Sequence, residues 1–378
     1  MRCYPSNPAL SRLRRLGVAF ALSGLGSLLP STLPAASSTT PPVGYVKTTL
    51  LANSDTFIGT SLTRPPAYVG TVVGASGSGI TVSGDPQWEL GAFTYVAGAQ
   101  PNTYYVRLGA APEGETNPFE GRTFAVEVAG ASELIVTDPL SGDLSTVPAG
   151  TKIEVIPYWT LSTLFPPEDA GVTFEESPTV FDIRTQVIFQ NSEAKGINKL
   201  GSDVYFFFNG HWRKRGESIS LDFDDVLIEL GAPLTIRGGN SNSFLFYLQG
   251  QVSLGRSAVF LRSEQGILQD NVSHSQIPFA IALNSLGLVD SGAFEESSTV
   301  FLIKDLLLLF SNEQIAINKL PIDAYYYYGG GWRKIGGNIN VDFGSDEVSP
   351  NTKIVVRKAV GMDSKVFVWQ SKNLQPSE

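Results

Sequence analysis

Short runs of apolar or alternating residues, separated by Gly, Pro, Asn and Asp, recur along most of the chain, and few stretches show helical periodicity. Alternation with a period of two is typical of strands, and the intervening residues favour turns. We therefore predict an all-β protein. Two apolar segments, residues 182–191 and 302–312, fit either a buried strand or a short helix, and we favour the strand.

The clearest hairpin covers residues 204–214, where Asn209 and Gly210 separate two strand-like runs. Both residue types tolerate the positive φ angles of a two-residue type I′ turn, and Gly329 and Gly330 stand at the matching place in a second, similar segment. Such a turn fixes the register and divides the side chains between two faces. The face with the Trp is expected to be core, and its members are Tyr205, Phe207, Trp212, Tyr325, Tyr327 and Trp332.

One segment of the chain is repeated at a spacing of 120 residues. Of the 50 positions from 174 to 223, 23 are identical to the residue 120 positions later, and the Trp-Arg-Lys triplet at 212–214 returns at 332–334. Identity at this level and at a fixed spacing indicates a duplication, so two copies of one fold are expected. We predict β-sandwich or barrel-like modules, of which the second, module B, covers residues 261–378.

The first copy is predicted to be interrupted. Its segment Ile156-Pro157-Tyr158 resembles Ile277-Pro278-Phe279, but the strand that should precede it finds a counterpart only far upstream, at residues 54–57. We predict module A from residues 43–68 plus 156–260, with a small β-barrel domain of five or six strands inserted at 69–155. Loop-closure entropy grows slowly with length, so such an insertion costs little. The alternative is three consecutive domains, with 43–155 as an unrelated unit.

The first 38 residues have the pattern of a secretory signal peptide. Arg12, Arg14 and Arg15 precede an apolar stretch over residues 16–29, and small residues follow at 35–38. The apolar core is short for a bilayer span, which disfavours the alternative of a membrane anchor. We expect cleavage near 35–38 and export to the periplasm, the outer surface or the exterior. No membrane span is expected after signal removal.

Composition removes several classes of function. The chain of 378 residues has one Cys and two His, and its 36 acidic and 27 basic side chains give a net charge of −9. A disulfide framework, a Cys-based zinc site and a nucleic-acid partner are therefore not expected. The sequence has no recognisable catalytic, metal-binding or phosphate-binding motif, so we expect no catalytic residue, no metal and no cofactor.

The second face of each hairpin combines aromatic rings with Arg and is the candidate binding surface. Stacking rings beside a planar guanidinium suit a sugar or a peptide, whereas the alternative is a second layer of the protein that covers the face. The candidate residues are Phe206, Phe208, Arg213, Tyr326, Tyr328 and Arg333.

The loops after the two hairpins are acidic. Carboxylates could hold Ca²⁺ there, but the spacing differs from that of an EF-hand and exposed turns are commonly acidic, so we favour solvated turns. The residues concerned are Asp222, Asp224, Asp225, Asp342, Asp346 and Glu347.

Three groups of residues resemble a family of exported bacterial proteins to which no function is assigned. They are Val43-Gly44-Tyr45-Val46 with Ser54-Asp55-Thr56, the segment Ile156-Pro157-Tyr158-Trp159-Thr160-Leu161, and the paired Asn-Lys-Leu, Tyr-rich and Trp-Arg-Lys segments. The resemblance covers residues 43–369. It implies export and a build of paired modules, and it carries no catalytic residue over to this chain.

Taken alone, the sequence favours a non-enzymatic structural or adhesive protein of the cell envelope or cell surface. Its partner would be a polysaccharide or an envelope protein. A carbohydrate- or peptide-binding module is the alternative, and a hydrolase without a recognisable motif is a third hypothesis.

Overall fold

The structure is a computed structural model that describes residues 42–96, 99–137, 140, 142–166, 174–199, 201–239 and 242–372. The predicted signal peptide and its cleavage site lie outside these residues. The described part of the chain consists almost entirely of strands and loops, which confirms the all-β prediction. Its one α-helix, α1 (Leu161–Leu164), is a single turn, and no helix in the described ranges is long and apolar enough to cross a membrane.

The strands are β1 (Val43–Leu50), β2 (Asp55–Ile58), β3 (Tyr68–Ser76), β4 (Gly79–Val82), β5 (Tyr104–Leu108), β6 (Thr123–Ala129), β7 (Glu133–Thr137), β8 (Lys152–Pro157), β9 (Trp159–Thr160), β10 (Gln186–Gln190), β11 (Gly201–Phe208), β12 (His211–Lys214), β13 (Leu227–Ile228), β14 (Leu234–Arg237), β15 (Phe244–Gln251), β16 (Ala258–Ser263), β17 (Gln269–His274), β18 (Ile281–Ala282), β19 (Leu306–Phe310), β20 (Asp323–Tyr328), β21 (Gly331–Lys334), β22 (Glu347–Val348), β23 (Lys353–Lys358) and β24 (Lys365–Gln370). Two 3₁₀ turns cover Leu144–Thr146 and Leu283–Ser285.

Two five-stranded antiparallel sheets share one strand order. Sheet A is β12-β11-β10-β14-β2, and sheet B is β21-β20-β19-β23-β17. The hairpins at their ends have the predicted register, with Phe207 opposite Trp212 and Tyr327 opposite Trp332. The apolar segments that fitted a strand or a helix contribute β10 and β19, so the preference for strand is confirmed.

Each sheet buries one face against a two-stranded ribbon, β1–β15 for sheet A and β16–β24 for sheet B. Trp212 and Trp332 lie at equivalent places in the two cores and are almost completely buried. Their partners on the same face, Tyr205 and Tyr325, are also buried, which agrees with the prediction that the Trp face is core. Large aromatic side chains supply much of the apolar area that stabilises such cores.

Strands β3 to β8 close into a six-stranded barrel, in the order β3-β4-β7-β6-β5-β8, with a core of its own. Its strands reach from Tyr68 to Pro157, slightly beyond the predicted insert of 69–155, because Pro157 still pairs with Tyr104. The ribbon strand β16 likewise begins at Ala258, before the predicted start of module B at 261, because Ala258 pairs with Gln370.

The barrel, although it lies in the chain between β2 and β9, contacts the ribbon of sheet B. The Ala258 N–H donates to the Gly121 carbonyl at 3.0 Å, and Gln370 Nε2 donates to the Glu120 carbonyl at 3.0 Å. Gly121 has a φ of 81°, and a Cβ there would lie 2.8 Å from the Arg256 carbonyl oxygen. The contact therefore requires glycine at this position.

A buried histidine packs between the strands that form the edges of the two sheets. A Cβ on Gly59, which follows β2, would lie 2.2 Å from the ring of His274, the last residue of β17. The Nδ1 of His274 donates to the Ser275 carbonyl at 2.5 Å, and within the described structure its Nε2 has no hydrogen-bond partner. Burial lowers the pKa of His274 from 6.5 to about 4.

This histidine should make the protein sensitive to acid. The unfolded chain takes up a proton near pH 6.5 and the folded chain only near pH 4, so the stabilising contribution is complete above pH 6.5 and is lost as the pH falls toward 4. His274→Gln keeps a donor but cannot titrate. We expect the loss of unfolding free energy between pH 7 and pH 4.5, measured by urea denaturation, to be smaller in this variant by about 2.5 kcal/mol. An identical pH dependence in both proteins would contradict this account.

Candidate functional site

A cavity of about 570 Å³ lies between the outer faces of the two sheets. Alternation along the strands puts Phe57, Ile188 and Thr235 of sheet A on the side opposite to Trp212, and Leu308 and Val355 of sheet B on the side opposite to Trp332. The lining residues are Asp55, Phe57, Ile188, Gln190, Asn198, Lys199, Gly201, Val204, Thr235, Arg237, Asp270, Val272, Leu308, Phe310, Asn318, Lys319, Leu320, Pro321, Lys353, Val355 and Arg357.

Two ion pairs form part of the cavity wall. In sheet A, Arg237 donates from Nε and a terminal nitrogen to the two oxygens of Asp55, at 2.7 and 3.0 Å. In sheet B, Arg357 donates to the two oxygens of Asp270 in the same way, also at 2.7 and 3.0 Å. Each pair joins the inner strand to the edge strand of its sheet. Bidentate pairing of this kind fixes the guanidinium plane as well as its charge.

Each ion pair is completed by a loop from the other sheet. Asn318, in the loop after β19, donates its backbone N–H to Asp55 at 2.7 Å and accepts from Arg237 at 2.9 Å. Asn198, in the loop after β10, donates to Asp270 at 2.8 Å and accepts from Arg357 at 3.2 Å. Both Asn residues have a φ of 53°. Asn tolerates this left-handed conformation better than most side chains, which explains its presence at both loop tips.

The cavity carries an excess of positive charge. Five of its lining side chains are cationic and two are carboxylates, and both carboxylates are held by arginine. Burial lowers the pKa of Lys199, Lys319 and Lys353 below the usual value for lysine. An excess of cations in a partly desolvated cavity favours anions, and this local excess contrasts with the net charge of −9 for the whole chain.

Lys353 is the cation with the fewest partners of its own. Its Nζ lies 5.1 Å from the ring centre of Phe57 and 5.2 Å from that of Phe310, and within the described residues it has neither an ion pair nor a hydrogen bond. By contrast, Lys199 and Lys319 each donate to a backbone carbonyl at 3.4 Å. The Lys353 ammonium is therefore the group in the cavity that gains most from an incoming anion.

A polar atom on sheet A is also without a partner. The Nε2 of Gln190 donates to the Thr235 hydroxyl at 3.4 Å, whereas its buried Oε1 accepts no hydrogen bond within the described structure. A buried acceptor without a donor costs free energy, of the order of 1–3 kcal/mol. A ligand that donates to this oxygen would recover that cost.

The candidate surface predicted from the hairpins is not open. Phe206 and Tyr326 are each only 3% exposed, and both lie on the face of their sheet that is turned toward the other sheet. Arg213 is buried and donates to the carbonyl of Leu221. The alternative of a covered face therefore fits the burial of these three side chains.

The rest of the predicted surface is partly exposed. Phe208, Tyr328 and Arg333 are of intermediate burial, and Arg333 donates to the Val341 carbonyl at 2.9 Å, as Arg213 does to Leu221 in the other hairpin. In both hairpins the loop that follows thus accepts one hydrogen bond from the guanidinium, and the Nε of each arginine has no hydrogen-bond partner among the described residues. These residues do not line the cavity.

His211 and two of the loop carboxylates meet in sheet A. The His211 Nδ1 lies 2.7 Å from Asp222 Oδ2 and 2.9 Å from Asp224 Oδ2, so the three side chains could hold a cation. However, Asp224 Oδ1 accepts from the backbone N–H of Trp212, and all three side chains are solvent-accessible. The cluster is accounted for by closure of the loop onto the hairpin. No pattern of spacing in the sequence predicts this contact of His211 with the two carboxylates.

Comparison of the chain with protein-family models, with curated proteins and with solved structures gave no match. The resemblance to exported bacterial proteins therefore stays a prediction.

Loss of one bridging carboxylate should weaken the whole molecule. Asp55→Asn keeps the shape of the side chain but leaves Arg237 without a counter-charge in a largely buried interface, so we expect a loss of about 3 kcal/mol in unfolding free energy, measured with urea. Asp182→Asn is the control, because Asp182 and Arg184 form an exposed pair at 2.8 Å that should contribute less than about 1 kcal/mol. Equal effects would show that the buried bridge has no special role.

Proposed function

We propose that this protein is a non-enzymatic binding protein that takes a small anionic molecule into the cavity between sheets A and B. The observation that carries the proposal is the pairing of size and charge: about 570 Å³, lined by five cations and only two carboxylates. Pockets for small molecules typically have volumes of this order and combine apolar walls with a few polar groups. Phe57, Leu308 and Val355 supply the apolar walls here.

The frame of the cavity suits binding because it is fixed before any ligand arrives. Each arginine is held by a carboxylate of its own sheet and an Asn of the opposite loop, so the walls lose little freedom when a ligand enters. The same contacts argue against a hydrolase. Both oxygens of Asp55 and both oxygens of Asp270 already accept hydrogen bonds, which disfavours either carboxylate as a general acid or nucleophile.

The setting of this function rests on the N-terminal sequence. The pattern of residues 1–38 supports export, so the protein would meet its ligand in the periplasm, at the outer surface or outside the cell. The repeated segment supports an origin of the two sheets by duplication, and a cavity between the two copies is then a natural place for a ligand site.

Filling the cavity should abolish anion binding. In Val204→Phe, a phenylalanine ring replaces a half-buried residue of the cavity lining. Val128→Phe is the control, because it places the same ring at an exposed position on the barrel. In thermal-shift titrations with acetate, phosphate, benzoate and galacturonate, we expect at least one anion to raise the melting temperature of the wild type in a saturable way. The shift should disappear in Val204→Phe and persist in Val128→Phe. Saturable shifts of equal size in both variants would place binding elsewhere, and the absence of any shift in the wild type would refute the proposal.

An adhesive role is the second candidate function, and one observation favours it. Phe181 is 95% exposed and Phe301, 120 residues later, is 91% exposed. Each ring stands on a rigid turn: the hydroxyl of Thr179 accepts the N–H of Phe181 at 3.3 Å, and that of Thr299 accepts the N–H of Phe301 at 3.2 Å. Two preformed apolar tips at equivalent places are suited to contact another surface.

Removal of both tips should reduce adhesion without loss of stability. We expect Phe181→Ala/Phe301→Ala to bind isolated bacterial envelopes at least fivefold more weakly in a sedimentation assay, with a change in unfolding free energy below about 0.5 kcal/mol. Leu90→Ala/Met362→Ala is the matched control, since it removes two exposed apolar side chains elsewhere. Equal retention of both double variants would remove the support for adhesion.

A further inference from the structure

The two sheets agree in the frame of the cavity and differ in its interior. Positions 237 and 357 are both Arg, and positions 198 and 318 are both Asn. Among the other lining positions, Lys199 matches Lys319 and Ile188 matches Leu308 in character, but three pairs of positions 120 residues apart carry chemically different side chains. The pairs are Gln190 with Phe310, Pro233 with Lys353, and Thr235 with Val355.

These differences make the cavity two-sided. Sheet A contributes an amide and a hydroxyl, from Gln190 and Thr235, whereas sheet B contributes an ammonium and apolar groups, from Lys353, Phe310 and Val355. Sheet A also contributes apolar groups, from Phe57, Ile188 and Val204, and the ring of Phe57 lies 6.0 Å from that of Phe310. A ligand that satisfies both sides must combine negative charge, hydrogen-bond donors and apolar C–H groups.

We propose that the ligand is a hydroxylated carboxylate of the sugar-acid class, such as a hexuronate. Its carboxylate would pair with the Lys353 ammonium, and one of its hydroxyls would donate to Gln190 Oε1. The C–H groups of the sugar ring would pack on Phe310, which is only partly buried, as sugars commonly do on aromatic rings. This inference rests on the proposed binding function and adds the chemical class of the ligand to it.

The carboxylate and the hydroxyl of such a ligand each pair with a polar group of the cavity that has no hydrogen-bond partner in the structure described. The carboxylate neutralises a cation that has no ion pair, and the hydroxyl supplies the donor that Gln190 Oε1 lacks. A plain carboxylate would leave the Gln190 oxygen unsatisfied, and a neutral sugar would leave the ammonium unpaired. Unsatisfied buried groups weaken binding strongly, so the cavity should discriminate against both.

The test is isothermal titration calorimetry of the purified protein with three probes: galacturonate, galactose and cyclohexanecarboxylate. We expect galacturonate to bind at least tenfold more tightly than either of the others. Lys353→Met should weaken galacturonate at least tenfold and abolish its advantage over galactose, whereas Lys353→Arg, which keeps the charge, should retain most of the affinity. Lys365→Met, on the exposed surface of β24, is the control and should change nothing.

Gln190→Leu tests the other end of the ligand. It should weaken galacturonate but leave cyclohexanecarboxylate unchanged, because only the former donates to Oε1. If cyclohexanecarboxylate or another plain anion binds the wild type as tightly as galacturonate, and Val204→Phe removes that binding, the sugar-acid class is wrong while the anion cavity stands. If no anion binds, both the class and the proposed function fail. Circular dichroism of Lys353→Met and Gln190→Leu would show that a loss of binding is not a loss of fold.

Discussion

The reciprocal bridge between the two sheets is the constraint on which the molecule depends. A carboxylate on the edge strand of each sheet, Asp55 or Asp270, binds an arginine of the neighbouring strand and the tip of a loop from the other sheet. The carboxylates are almost completely buried and the arginines partly so, which makes loss of either partner costly. Both bridges close only when the loop of each sheet reaches the other sheet. The arrangement holds two β-sheets face to face while leaving space between them.

That space follows from how the outer faces are built. Each sheet already buries its Trp face against a ribbon, so its second face must be covered or stay in water. The bridges cover it with the opposite sheet, and they join the sheets mainly through charged side chains and loop backbone groups, with the ring contact of Phe57 and Phe310 beside them. Sheets in an ordinary sandwich pack about 10 Å apart around a solid core. Here lysines and arginines occupy part of that layer, and the remainder is the cavity.

The local structure of this protein could be predicted from its sequence, whereas its site could not. Asn209 and Gly210 sufficed to predict the hairpin, its register and the buried Trp212, because turn geometry and side-chain alternation are local properties. The similarity of residues 174–223 to the segment 120 residues later led to the expectation of two matching sheets. The burial of Phe206 and Arg213 could not be predicted from the sequence. A strand with two apolar faces has the same sequence pattern whether its second face binds a ligand or is covered by other parts of the protein.

The cavity could not be predicted from the sequence because its lining comes from six separate stretches of the chain. Asp55 pairs with Arg237, and Asn318 completes the pair, across separations that no pattern of spacing reveals. One signal was nevertheless present in the repeat. The two copies share the residues that hold the fold together. A position that is polar in one copy and apolar in the other is therefore not required by the shared fold. Gln190 and Phe310, or Pro233 and Lys353, are such positions, and all but Pro233 line the cavity. In a repeat whose two copies share their bridging residues, the few positions that differ in polarity are therefore the candidates for a ligand site between the copies.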